Sequence, residues 1–161
     1  MKGDEPMPTP IYYHFKQRFN VPARKAFEWC TTYTPGDHAL MGAKDVSRKI
    51  EHITDRTIIL TDTFSIGADN QIEKQKLVQI YPDILFWTST HISGPAKHSQ
   101  FIYQITADAD NISNLDFRGL FLDYGDKKIS ESDTAKLVEK TCKEDARAWE
   151  LLAKAMEQDI C

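Results

Sequence analysis

Asp145 is a carboxylate in unusually apolar company. It lies one helical turn from both Cys142 and Trp149, inside a stretch, Ser130–Cys161, that holds neither Gly nor Pro. A carboxylate there is costly unless it is paired, hydrogen-bonded or protonated. It could bind a polar atom of a ligand or act as a general base; otherwise the helix lifts away and leaves it wet, or a structural partner takes it. Arg48 and Asp62 fall opposite each other if the segments flanking Thr54-Asp55 form a hairpin. They would either orient a ligand or make an ordinary cross-strand pair near a rim. His91, with Asp62 or Asp145, would make an acid/base pair. The catalytic candidates are thus Asp145, Asp62 and His91. His91 and His98 flank Ser93-Gly94-Pro95 without a zinc-like spacing or a neighbouring Cys, and His14, His38 and His52 are scattered, so no metal is expected. No Gly-rich phosphate loop, Gly-x-Ser-x-Gly elbow or His-Glu-x-x-His motif is present, and no cofactor is expected. Lys127 and Lys128 read as solvated loop charges.

The element that positions Asp145 is Ser130–Cys161 itself. On a helical wheel one stripe collects Thr134, Val138, Thr141, Cys142, Asp145, Ala148, Trp149, Leu152, Ala155 and Met156, and the opposite face is charged. Ser130 with Asp133 three residues on is a capping-box-like start. Such a helix is roughly 40 Å long at 1.5 Å per residue and must lie across something long and apolar. Upstream, Ile11–Asn20 alternates as a half-buried strand, with Ile11, Tyr13, Phe15 and Phe19 on one face. Pro22 opens a short helix over Ala23–Thr32, and His38–Met41 reads as a further helical turn. From Asp45 to Tyr124 the period is two. Six strands are expected at about 45–53, 56–65, 70–81, 84–92, 98–108 and 112–124, separated by turn-like segments. Short separators imply an antiparallel meander.

Hairpin geometry then sets registers. Ile105 faces Leu115, Tyr103 faces Phe117 and Phe101 faces Gly119; Trp87 lies near Tyr103 and His91 near Ser99. Ile50 faces Leu60, Arg48 faces Asp62 and Val46 faces Phe64. In the strand 71–81, Lys74 and Lys76 suggest that Gln75, Leu77 and Tyr81 point inward. Trp87 and Trp149 are both expected to be largely buried.

The bulk properties bound the reading. The 161 residues, 41% hydrophobic, suit one domain with a real core. Met1–Pro10, with three prolines, is expected to be a disordered tail before a single domain over 11–161. A net charge of −4 gives no support to nucleic-acid binding. No apolar run approaches the roughly 18–20 residues that span a bilayer, so integral membrane association is not expected. Three cysteines, Cys30, Cys142 and Cys161, fit a reduced cytoplasmic protein better than a disulfide framework.

Strand, two short helices, six strands and a long helix make an α+β protein: a curved antiparallel seven-stranded sheet gripping its C-terminal helix. Phe19-Asn20-Val21-Pro22-Ala23-Arg24-Lys25-Ala26-Phe27-Glu28-Trp29 looks like a first strand running into a Pro-Ala helix start. With the amphipathic terminal helix, it resembles the START-related helix-grip superfamily, also called SRPBCC or polyketide cyclase/dehydrase-like, over Ile11–Gln158. That resemblance implies a cavity between sheet and helix for a hydrophobic or amphipathic small molecule of lipid, polyketide or hormone type. It implies no particular chemistry, since members include carriers, cyclases, hydroxylase domains and chaperone co-factors. The residues expected to line the cavity are Tyr13, Phe15, Arg48, Leu60, Asp62, Trp87, His91, Phe101, Tyr103, Phe117, Asp145 and Trp149. Alternating aromatics are also ordinary core; Gly119, Ser89, Ser99 and Asp62 at inner positions favour a pocket. The expected functions are a binding or carrier module, a cyclase- or hydratase-like enzyme using the same cavity, or a chaperone-activator-like interaction module.

Overall fold

The computed structural model describes residues 7–125 and 129–160. The elements follow in the order β1 (Thr9–Phe19), α1 (Ala23–Thr31), α2 (Asp37–Leu40), β2 (Val46–Thr54), β3 (Thr57–Ile66), β4 (Asn70–Tyr81), β5 (Phe86–His91), β6 (Gln100–Ala109), β7 (Ile112–Asp123) and α3 (Glu131–Ile160), with a 3-10 turn at Pro82–Ile84. The sheet is a continuous antiparallel meander in the order β1-β7-β6-β5-β4-β3-β2. β1 enters from the far end of the sequence and pairs with β7 along its whole length.

Met1–Pro6 of the expected tail, Lys127, Lys128 and Cys161 lie outside the described residues. β1 begins at Thr9, two residues before the expected strand, and includes Pro10. A proline fits because β1 is an edge strand, where a missing N–H leaves no ladder bond unmade. The Ser130 hydroxyl accepts the N–H of Asp133 at 3.2 Å, so the expected cap of α3 forms.

α3 packs along β1 and reaches α1 and α2. Its far end is fixed twice: Glu157 accepts the N–H of Asn20 at 3.1 Å, and Trp29 donates to Asp159 at 2.9 Å. Ala153 and Met156, near that end, are fully buried, whereas Leu137, Val138, Cys142 and Trp149 are only partly so. Ala153 is absent from the stripe read off the wheel; its small side chain carries little hydrophobic signal. The core beneath this end holds Phe19, Phe27, Trp87, Ile105, Leu115 and Phe117. None of the described helices is long and apolar enough to cross a membrane.

Candidate functional site

The hairpin registers place the chemistry. Arg48 pairs with Asp62, Ile50 with Leu60, Trp87 with Tyr103, Phe101 with Gly119 and Tyr103 with Phe117, all as the turns imply. β4 differs. Val78 and Ile80 are buried, and Lys74 and Lys76 share their face, pointing into the concave side; Leu77 and Tyr81 point outward. The charge pattern misleads here because a buried carboxylate on the next strand needs cations.

That carboxylate is Asp62, which is wholly buried. Arg48 donates to it twice, Nε to Oδ1 at 2.7 Å and Nη2 to Oδ2 at 2.9 Å. Lys76 donates to Oδ2 at 2.9 Å, and His38 Nε2 lies 3.1 Å from the same oxygen. Arg48 Nη1 also reaches Asp37 at 2.9 Å, tying α2 to the sheet. Burial opposes ionisation of Asp62, but the hydrogen bonds from Arg48 and His38 and the charge of Lys76 hold its carboxyl far below the usual range. Burial depresses the Lys76 ammonium, with Asp62 pulling the other way. Asp62 is therefore an ionised structural acceptor rather than a base. It is buried although its partner Arg48 lies on the edge strand β2.

On the opposite wall the Tyr13 hydroxyl donates to Asp145 Oδ2. Asp145 does face the sheet. Burial raises its pKa, opposed by the Tyr13 hydrogen bond and the charge of Lys76, which is near enough to be felt. Burial and the Asp145 charge push the Tyr13 phenol far up, so it remains a donor at any physiological pH. Gly119 makes the contact possible. A Cβ there would come within 2.7 Å of Tyr13 Cζ, so the glycine lets the ring lie flat on β7. Gly119→Ala is expected to displace the ring, cost about 1–3 kcal/mol and leave Asp145 without its donor; unchanged chemical-denaturation midpoints would count against this.

Between the two walls lie aromatics. Trp87 and Tyr103 stack in parallel with centroids 4.7 Å apart, Phe15 stacks on Phe117 at 4.6 Å, and Tyr103 meets Trp149 at 5.8 Å. Trp87 is sealed, as expected; Trp149 is only partly buried, as are the inward-facing side chains of α3 before it. Ile50, Phe101, Phe121, Val138 and Cys142 face the same space and keep accessible surface. The fully buried residues of α3 lie at its Met156 end, whereas Leu137, Val138, Cys142 and Trp149 keep accessible surface. Burial pushes the phenols of Tyr33 and Tyr103 up, and both rings still keep accessible surface.

His91 lies beside Lys76. It is buried, and its Nδ1 has no hydrogen-bond partner among the described residues. Burial, then Lys76 and Lys74, lower its pKa to about 4. The expected His91 acid/base pair with Asp62 or Asp145 does not form; its ring instead lies 5.4 Å from that of Phe101. His98 sits on the turn at a φ of 71°, exposed. Among the described residues no cluster of three His, Cys, Asp or Glu side chains could hold a metal ion. Two surface grooves of about 400 and 480 Å³ flank the last turns of α3, lined by residues such as Asn20, Lys154 and Glu157. Their charged, open walls and their distance from the titratable cluster make them poor sites for an apolar ligand.

No protein-family model matches the chain, and no curated protein matches it in sequence. Solved structures do match it in shape. The Zhui aromatase/cyclase from a Streptomyces species superposes with a TM-score of 0.74 at 8% identity, over 95% of this chain and 97% of that one. Ara h 8.0201 superposes with a TM-score of 0.63 at 16% identity, over 93% of this chain and 97% of that one. This is the helix-grip fold of the SRPBCC, polyketide cyclase-like proteins. Norcoclaurine synthase from Thalictrum flavum, solved with dopamine and hydroxybenzaldehyde, shares it with a TM-score of 0.64 at 12% identity, covering 94% of this chain and 89% of that one. At these identities the likeness carries the fold, and the reading of the grip rests on this chain's own side chains.

Sequence reasoning missed His38, Lys76, Asp37 and Lys74 as members of the site. A buried Asp62 with two acceptor oxygens was the available signal, since one Arg leaves acceptor capacity that other donors must fill. The partnership of Tyr13 with Asp145 was also missed; Gly119 at an inner position marked the place where a ring could lie.

Proposed function

We propose that this domain binds a hydrophobic or amphipathic small molecule between the sheet and the part of α3 that precedes Ala153. The observation that carries the reading is that the inward-facing side chains around α3 before Ala153 are not fully buried. Phe101, Tyr103, Phe121, Cys142 and Trp149 face inward yet keep accessible surface, beside a buried imidazole nitrogen without a partner among the described residues. A mostly apolar wall with a few convergent polar groups is how small-molecule sites are built. Aromatase/cyclases and norcoclaurine synthase use the same fold around aromatic chemistry, which fits this wall. Tyr13, Phe15 and Phe117 form its floor, Leu60 and Trp87 support it, and Arg48–Asp62 hold α2 across one end.

Asp145 favours a second reading, a cyclase- or hydratase-like enzyme. A buried carboxyl with a raised pKa and a phenol donor is a usable acid or base nearer neutrality than an ordinary aspartate. Asp145→Asn keeps the shape and removes the titration. For a binding module, titration with the neutral aromatic 2-naphthamide, followed by tryptophan quenching, is expected to lose its pH dependence and shift affinity by at most about tenfold, or roughly 1.4 kcal/mol. Native mass spectrometry of the wild-type protein is expected to show a co-purified small molecule. A chemically altered product that disappears in Asp145→Asn would establish the enzyme instead. Unchanged affinity and an unchanged pH profile would remove Asp145 from the site.

A further inference from the structure

The two walls of the grip are not electrostatically equivalent. On the β2–β4 side three cations, Arg48, Lys74 and Lys76, meet two carboxylates, Asp37 and Asp62. Arg48 has little left to offer, since its side chain is only 5% accessible and its nitrogens already serve Asp62 and Asp37. Lys76 has more. It spends one bond on Asp62, its side chain remains 17% accessible, and an ammonium carries three donors. Lys74 shares the face and rests its ammonium 4.8 Å over the Phe64 ring rather than on a carboxylate. Beside Lys76, across the β4–β5 register, stands His91 with its orphaned nitrogen.

We infer that the grip selects an amphipathic carboxylic acid, bound as the anion, with its carboxylate lodged between Lys76 and His91 and its apolar body on Phe101 and Tyr103. This rests on the space between the sheet and the part of α3 before Ala153 being the ligand site. The wall carries one positive charge in excess inside a low-dielectric space, where it is screened little. The same lysines that keep a proton off His91 attract an anion. Two donors, the ammonium and the neutral imidazole, match the two oxygens of a carboxylate and give each a charge-assisted or neutral hydrogen bond. The opposite wall repels a second anion and offers a different partner. Asp145, held by Tyr13, suits a hydroxyl donor at the far end of the ligand.

The test compares 2-naphthoate with 2-naphthamide, alike in shape and different in charge, by isothermal titration of the full chain at neutral pH. 2-Naphthoate is expected to bind at least about tenfold more tightly, the ratio expected of one well-placed charge pair. Lys76→Gln is expected to bring the two affinities together while leaving that of 2-naphthamide within about twofold. Lys74→Gln, which releases no buried carboxylate, serves if Lys76→Gln does not fold, and is expected to lower the ratio about threefold. Equal affinities in the wild-type protein overturn the carboxylate preference while leaving the grip as a site for neutral molecules. Preference retained in the lysine variants overturns the placement. 2-Naphthyl phosphate binding more tightly than 2-naphthoate overturns the carboxylate in favour of a phosphate head. If no probe binds, both this inference and the ligand site on which it rests fall.

Discussion

Asp62→Asn is expected to cost about 3–5 kcal/mol of folding stability, read as a shift of the urea midpoint at neutral pH. The substitution keeps the volume and removes the charge. Arg48 and Lys76 then remain in the interior with only Asp37 to answer them, and breaking one side of a buried ionic cluster is what makes such changes severe. The loss says little about the net worth of the intact cluster. Apolar replacement of all its members is a different experiment and can be neutral. The pH dependence has a definite sign. Asp62 is depressed in the folded state, so its contribution is fully present above the unfolded value of about 3.9 and is lost as pH falls below that value. The Asn variant is expected to lack this acid limb. A variant within about 1 kcal/mol of wild type, with the limb intact, would mean that the cluster is screened by water and Asp62 is not its centre.

The cluster also shows where the sequence is informative and where it is not. Arg48 opposite Asp62, and the aromatic ladder Trp87, Tyr103 and Phe117, were legible because short turns fix hairpin registers. Lys76 was assigned to the wrong face because charge usually means exposure, and the exception depends on a partner whose burial no local pattern reveals. α3 was legible as an amphipathic helix, and its direction of packing put Asp145 inward. Its phenol partner was not, because Tyr13 lies 132 residues away on a strand whose pairing with β7 closes no turn. Trp149 read as core for the same reason that Met156 did. Only the three-dimensional course of α3, pinned at Glu157 and Asp159 beside Met156, separates the two.

His91→Leu is expected to remove a loss of about 3 kcal/mol that the wild-type protein suffers between pH 6.5 and 4. The histidine's folded pKa is lowered from 6.5 to about 4, so within that window the unfolded chain binds a proton that the folded chain refuses. Stability therefore falls as the solution is acidified from 6.5 and levels off below the folded value. Above 6.5 both states are neutral and the residue contributes no slope. Burial is the main cause, and of the charged groups that face it from β3 and β4, Lys76 and Lys74 also disfavour the imidazolium while Asp62 favours it too weakly to compensate. Leu has no proton to take up and no orphaned nitrogen. The variant is thus expected to lose the fall on acidification across the window, leaving only the opposite slope of the raised Asp145 carboxyl, and at neutral pH to be as stable as wild type or more stable by about 1 kcal/mol. Its remaining acid lability, below about pH 4, belongs to Asp62. A wild-type profile that is flat between pH 6.5 and 4, or an identical slope in His91→Leu, would place the imidazole in water. The window also couples to the ligand. A carboxylate seated between Lys76 and His91 supplies the negative charge that the ring lacks, so saturating 2-naphthoate is expected to raise the imidazole's pKa and shallow the wild-type slope. 2-Naphthamide, with no charge to offer the ring, is expected to leave the slope due to His91 unchanged.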